Sequence, residues 1–77
     1  MVRENLIKAR GKQNQVQIAQ ECGVSQQTYS HWERGRATPS IQKMIILERV
    51  LGVPKEVLFL DIFNSDSELI KNKTQAG

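Results

Sequence analysis

The feature that most constrains the fold is a pair of short amphipathic segments joined by a single glycine. The first segment follows Asn14, which predicts an N-cap with a capping-box partner at Gln17. It ends at Gly23, and Ser25 predicts the N-cap of the second segment. The sequence therefore predicts two helices joined by a tight turn, within residues about 15–34.

The second of these helices has one apolar side and one polar side, at about 100° per residue. Tyr29 and Trp32 lie on the apolar side, where we expect core packing rather than stacking on a ligand. The polar side carries amide, hydroxyl, imidazole and guanidinium groups, on Gln26, Gln27, Ser30, His31 and Arg34. Because such a side does not suit a hydrophobic core, we expect it to face solvent and bind a ligand.

The remaining apolar pattern predicts three more helices and no strand. They are expected at Arg3–Arg10, from Thr38-Pro39 to Leu51, and from Pro54 to about Leu60. We therefore predict an all-α fold of five helices over residues 1–63. Residues 64–77 offer few apolar side chains and are expected to form a flexible C-terminal tail.

The fourth helix is expected to have a core face and an outer face. The core face consists of five apolar residues, Ile41, Met44, Ile45, Leu47 and Leu51. Glu48 falls on this face by phase, so we expect it to be buried with a partner, which is Arg10, the Tyr29 hydroxyl or the Trp32 indole. Residues on the outer face and beyond are expected to form an exposed apolar patch, namely Ile46, Val50, Leu60, Ile62 and Phe63. This patch predicts a homodimer contact, unless the C-terminal tail covers it.

Composition narrows the class of protein. A chain of 77 residues makes one domain, and it has no apolar run near 18 residues and no signal peptide. Cys22 is the only cysteine, which excludes an internal disulfide, fits a cytoplasmic protein and predicts core packing at this position. A single histidine is too few for a metal site, and no nucleophile lies beside a base. We therefore expect neither an enzyme nor a bound cofactor.

Charge indicates an anionic partner. The formal net charge is +3, and the excess lies in residues 1–40, which hold six basic residues against three acidic ones. Two helices joined by a turn, with the second polar from its start, can place a recognition helix in the major groove of DNA. Gln26 and Gln27 suit this role because an amide offers the donor and the acceptor that adenine requires. Arg34 and Arg36, at and beyond the helix end, suit backbone phosphates.

Five segments occur in register along the chain: Gln15-Val16-Gln17-Ile18-Ala19, Gly23-Val24-Ser25, Trp32-Glu33-Arg34-Gly35-Arg36, Pro39-Ser40-Ile41 and Leu51-Gly52-Val53. Together they resemble the lambda-repressor-like, Cro/CI-type (xenobiotic response element) helix-turn-helix family. The resemblance implies a five-helix DNA-binding domain with base contacts from Gln26, Gln27 and His31. It implies phosphate contacts from Gln15, Thr28, Arg34 and Arg36, to which we add Ser30 on the same polar side. It also implies that dimers bind pseudo-palindromic operators.

The resemblance also implies an ion pair between the first helix and the glutamate at the Glu33 position. Arg10 is the favoured partner and Lys8 is the alternative. The link Gly11-Lys12-Gln13 is shorter than the common form in the family, which leaves the alignment of the first helix open. From its phase alone, His31 contacts a base, a phosphate or solvent.

These observations predict a sequence-specific regulator of transcription that binds double-stranded DNA. We expect a repressor of prokaryotic or phage origin that acts as a homodimer by occupying its operator. The alternative is a protein-interaction module, such as an antitoxin-like or regulatory subunit, in which an apolar patch holds a partner protein. A pull-down against the product of the neighbouring gene separates the two.

Overall fold

The computed structural model describes residues 1–63, most of which lie in five helices. In chain order these are α1 (Glu4–Arg10), α2 (Gln15–Cys22), α3 (Gln26–Glu33), α4 (Ile41–Leu51) and α5 (Lys55–Leu58). A turn at Phe59 separates α5 from further helical residues at 60–63. The predicted all-α fold of five helices is confirmed. The predicted flexible tail, residues 64–77, lies outside the described residues.

One cluster of buried apolar side chains joins all five helices. Its members are at most 4% exposed: Leu6, Ile18, Ala19, Cys22, Tyr29, Trp32, Met44, Leu47, Leu58 and Phe59. Tyr29 and Trp32 lie in this core, with their rings in edge contact at 5.9 Å between centroids. The aromatic side of α3 is therefore anchored inward, which leaves its polar side at the surface.

Local capping fixes the ends of α2 and α3 as the sequence predicts. The Asn14 Oδ1 atom accepts a hydrogen bond from the Gln17 amide at 2.8 Å, and Ser25 Oγ accepts one from the Thr28 amide at 3.1 Å. Gly23 ends α2 with φ of +71°, the left-handed conformation that glycine adopts without steric cost. The turn between the two helices is therefore determined by short-range interactions.

The start of α4 differs from the prediction. Thr38-Pro39 was expected to open this helix, but it begins at Ile41, and Pro39 is buried before the cap. Ser40 is the N-cap, and its hydroxyl accepts a hydrogen bond from the Lys43 amide at 3.3 Å. A hydroxyl at this position satisfies a free amide of the first turn, which proline cannot do.

The buried face of α4 is rotated from the predicted one. Ile41 and Ile45 were expected in the core but are 52% and 43% exposed. Ile46 and Val50, expected on the outer face, are partly buried against the core. The reason is that α4 packs against α2 as well as α5, so its buried stripe extends toward the α2 side.

Glu48 is not buried in the apolar face, and none of its three predicted partners contacts it. Its Oε1 atom accepts a hydrogen bond from the Lys55 amide at 3.0 Å and lies 3.8 Å from Lys55 Nζ. Pro54 occupies the cap position of α5 and has no side-chain acceptor, so Glu48 supplies one from the neighbouring helix. Glu48 therefore caps α5.

The predicted apolar patch is also different in composition. Ile62 and Phe63, like Ile46 and Val50, pack partly against the core, whereas Leu60 is 48% exposed. The exposed apolar side chains of α4, α5 and the helical residues at 60–63 are instead Ile41, Ile45, Val57 and Leu60. We refer to these four residues as the apolar patch.

Candidate nucleic-acid interface

The polar side of α3 is exposed where the sequence predicts base contacts. Gln26 and Gln27 occupy the first turn of α3 and are exposed, while His31 is partly exposed one turn later. The predicted phosphate contacts Thr28 and Ser30 are partly exposed on the same helix. A helix whose N-terminal turn presents amides can bring them to base edges in the major groove.

A chain of hydrogen bonds runs from α1 to the exposed end of α3. Arg10 Nε donates to Glu33 Oε2 at 2.6 Å, and Arg10 Nη2 donates to Glu33 Oε1 at 3.2 Å. Gln15 Nε2 also donates to Glu33 Oε1, at 2.9 Å, and Gln15 Oε1 accepts from Gln26 Nε2 at 2.7 Å. The buried ion pair thus holds Gln15, and Gln15 holds the side chain of Gln26.

This chain leaves Gln26 with the groups that adenine recognition requires. An amide has two N–H groups and one carbonyl oxygen. One N–H of Gln26 is donated to Gln15, so the second N–H and the oxygen are available for a base edge. Gln15, predicted as a phosphate contact, has both ends of its side-chain amide engaged within the protein.

Glu33 lies at the edge of the core and is ionised there, because its polar partners stabilise the negative charge more than burial destabilises it. Burial opposes its charge, but hydrogen bonds from Arg10 and Gln15, together with the positive charge of Arg10, lower the pKa of Glu33 below its usual range. The hydrogen bond to Glu33 in turn raises the pKa of Arg10. Burial, followed by the nearby Glu33 carboxylate, raises the pKa of Tyr29. The anchor of the chain is therefore a charged pair at neutral pH.

The loop after α3 carries the two exposed arginines, Arg34 and Arg36. Both the Arg36 and Ala37 amides donate to the His31 carbonyl, at 2.9 and 3.3 Å, which folds the loop back on the helix end. Gly35 between them has φ of +73°, and a Cβ there would overlap the Met1 carbonyl. The position thus requires glycine, and it separates the two cations by one residue.

Arg3 also belongs to this region, although no pattern in the sequence predicts it as part of a site. Its side chain is 3% exposed, and its guanidinium donates to Trp32 and Ala37 carbonyls, to Thr38 Oγ1 and to Asp61. It was predicted only as the first residue of α1, which begins one residue later. The only sequence signal was a basic residue before a helix, and its acidic partner lies 58 residues away.

The fold and the exposed polar helix define a DNA-binding protein built on two helices and a turn. A family model described as helix-turn-helix matches residues 5–58, which is more than half of the chain. The chain therefore belongs to the helix-turn-helix family of the lambda-repressor-like, Cro/CI type, a family of DNA-binding regulators that are typically not enzymes. Neither the curated proteins nor the solved structures yielded a match. Within residues 1–63, every helix is too short or too polar to cross a membrane.

Proposed function

We propose that this chain is a sequence-specific transcriptional repressor that occupies an operator in double-stranded DNA, with α3 in the major groove. The observation that carries the proposal is the hydrogen bond from Gln26 to Gln15, because it fixes an exposed side chain in one orientation. A solvated glutamine has no need of such a support. Holding a base-contacting group before DNA arrives lowers the entropy that binding must overcome.

In this proposal the remaining polar residues divide between bases and backbone. Gln27 and His31 contact bases beside Gln26, because they lie on the same exposed side of α3. Backbone phosphates are bound by the other predicted residues, Gln15, Thr28, Ser30, Arg34 and Arg36. Gln15 makes this contact through its backbone amide or its second side-chain N–H, because its other polar atoms are engaged.

We further propose that the protein is of prokaryotic or phage origin and acts as a homodimer in the cytoplasm. One recognition helix with two or three base-contacting side chains covers too few base pairs to distinguish one site in a genome. A second copy doubles the sequence that is contacted. The apolar patch supports this proposal because Ile41, Ile45, Val57 and Leu60 are each more than 40% exposed.

Selection of bound sequences from a random pool of DNA duplexes tests the proposed function. We expect one enriched pseudo-palindrome whose half-sites are about 34 Å apart, one turn of the double helix. Repeating the selection with Gln26→Ala and Gln27→Ala should relax base preference at separate positions of each half-site. A pool without any enriched sequence would overturn the proposal and favour a protein-interaction module, which the pull-down against the neighbouring gene product then tests.

A further inference from the structure

Arg3 is the N-cap residue of α1, yet its side chain makes no capping hydrogen bond and is directed to other parts of the fold. A guanidinium has five N–H groups, and all five of them have acceptors here. Nε and Nη2 donate to the two carboxylate oxygens of Asp61, at 3.0 and 3.1 Å. Nη1 donates to the carbonyls of Trp32 and Ala37, at 2.7 and 2.8 Å, and Nη2 also donates to Thr38 Oγ1 at 2.8 Å.

The acceptors of Arg3 lie on both sides of the two exposed arginines. Trp32 precedes Arg34 in the chain, and Ala37 follows Arg36. The backbone amide of Arg3 adds a hydrogen bond to the carbonyl of the intervening Glu33, at 2.7 Å. One buried side chain therefore closes the loop that carries both cations.

The cost of burying a guanidinium indicates that this arrangement is specific. Removing a cation from water is expensive unless every donor is paired with good geometry. Asp61 supplies the opposite charge, and the ring of Phe59 lies 5.1 Å from the guanidinium carbon. Arg3 is thus held in place by residues that follow α5, and the loop at 34–36 is held by Arg3.

We propose that Arg3 is a positioning residue for DNA binding, which fixes the loop so that Arg34 and Arg36 reach backbone phosphates. Asp61 is its counter-ion and keeps the guanidinium in place. This inference rests on the proposed function, because it concerns how the same interface binds DNA. Arg3 itself is buried and touches no DNA.

The test uses two variants and a matched control. Arg3→Lys keeps the charge but has too few donors and the wrong shape for both carbonyls and Asp61. Asp61→Asn removes the opposite charge and leaves one acceptor oxygen where Arg3 now has two. Glu48→Gln is the matched control, because it makes the same acid-to-amide change without contacting Arg3. The first measurement is the salt dependence of binding to random-sequence DNA, whose slope counts phosphate contacts.

We expect the slope for Arg3→Lys to fall by about one to two contacts and that for Asp61→Asn to fall by about one, with Glu48→Gln unchanged. Partial unfolding alone lowers the fraction of active protein without changing the slope. If Arg3→Lys does not fold, a folded Asp61→Asn variant with the wild-type slope overturns the role instead. A folded Arg3→Lys variant with the wild-type slope overturns the role in positioning.

Hydrogen exchange of the free protein provides a second measurement that needs no DNA. The Arg36 and Ala37 amides, bonded to His31, should exchange several-fold faster in Arg3→Lys, while the Gly23 and Val24 amides of the turn do not. Equal increases in exchange at the loop and at the turn would overturn the role of Arg3 in holding the loop. If wild-type protein shows no salt-dependent DNA binding, the proposed function and the role of the loop in phosphate binding both fail. The exchange measurement still tests whether Arg3 holds the loop in place.

Discussion

Gln15 and Gln26 belong to different helices, and a 2.7 Å hydrogen bond joins their side-chain amides. Gln15 also donates a hydrogen bond to Glu33, and Glu33 forms an ion pair with Arg10. The exposed end of α3 is therefore connected to the buried ion pair through one side chain. A substitution at the ion pair is therefore expected to change the orientation of Gln26, and one at Gln15 is expected to affect both.

We predict that Gln15→Ala weakens operator binding and relaxes preference at the same base pair as Gln26→Ala. Gln26→Ala should cost about 1–3 kcal/mol, and loss of its support should cost about 1 kcal/mol. The measurement is a double-mutant cycle on the selected operator. The double variant should lose less binding free energy than the sum of the two single losses, because Gln15 acts through Gln26. Strict additivity, with Gln15→Ala weakening all sequences alike, would assign Gln15 to phosphate binding alone.

The exposed cation Arg36 gives a prediction of the opposite kind. Arg36→Ala should weaken binding to operator and random DNA by similar factors and lower the salt slope by about one contact. Base preference should not change, because phosphate contacts carry no direct sequence information. Titrations at several salt concentrations measure the slope. Arg49→Ala, an exposed arginine on α4 outside the proposed interface, is the control and should leave the slope unchanged.

The Glu33 ion pair predicts a pH-dependent contribution to stability. The pKa of Glu33 is lowered in the fold, so its stabilisation is present above the ordinary value of 4.5 and is lost as the pH falls through the lowered pKa. At pH 7, Glu33→Gln should reduce the free energy of unfolding by about 1.5–3 kcal/mol, the range for hydrogen bonds to charged groups. Denaturant titrations at neutral and acidic pH measure this difference.

The difference between Glu33→Gln and wild type should shrink as the pH falls below the ordinary value of 4.5, because the unfolded state then binds a proton more readily than the folded state does. Glu21→Gln makes the same chemical change at an exposed position of α2 and should remain within about 0.5 kcal/mol of wild type. A destabilisation by Glu33→Gln that does not shrink as the pH is lowered from 7 through the acidic range would argue against a charged Glu33.

The parts of the structure that were predictable from sequence depend on neighbours in the chain. The caps at Asn14 and Ser25 and the glycine turn at Gly23 follow short-range rules, and they place α2 and α3 correctly. The exposure of Gln26 and Gln27 followed from helical phase once those ends were known. The candidate DNA-binding surface could therefore be predicted from the sequence without knowing how the helices pack together.

The parts that were missed depend on which helices pack together. Helical phase predicts that Glu48 points toward the core. It carries no information about the packing that brings the last turn of α4 beside the first amide of α5. The contact between Arg3 and Asp61 spans 58 positions, so no local pattern indicates it. Long-range polar contacts therefore required the structure.

The capping role of Glu48 is itself testable. Glu48→Ala removes the acceptor of the Lys55 amide, so we expect a loss of about 1 kcal/mol in the free energy of unfolding. Glu56→Ala, in the first turn of α5, is the control for charge and should cost less, because Glu56 is exposed. Thermal or denaturant unfolding measures both. Equal effects from the two substitutions would mean that Glu48 acts by charge rather than by capping.

The proposed homodimer predicts that a charge in the apolar patch dissociates it. Leu60 is 48% exposed, and burying a leucine contributes about 1.5–3 kcal/mol, so Leu60→Glu should weaken dimerisation at least tenfold. Val16→Glu is a matched control, because Val16 is 49% exposed but lies on α2, outside the patch. Analytical ultracentrifugation measures both variants against wild type. A wild-type protein that is monomeric at high micromolar concentration rules out this dimer, and equal effects of the two variants place its interface elsewhere.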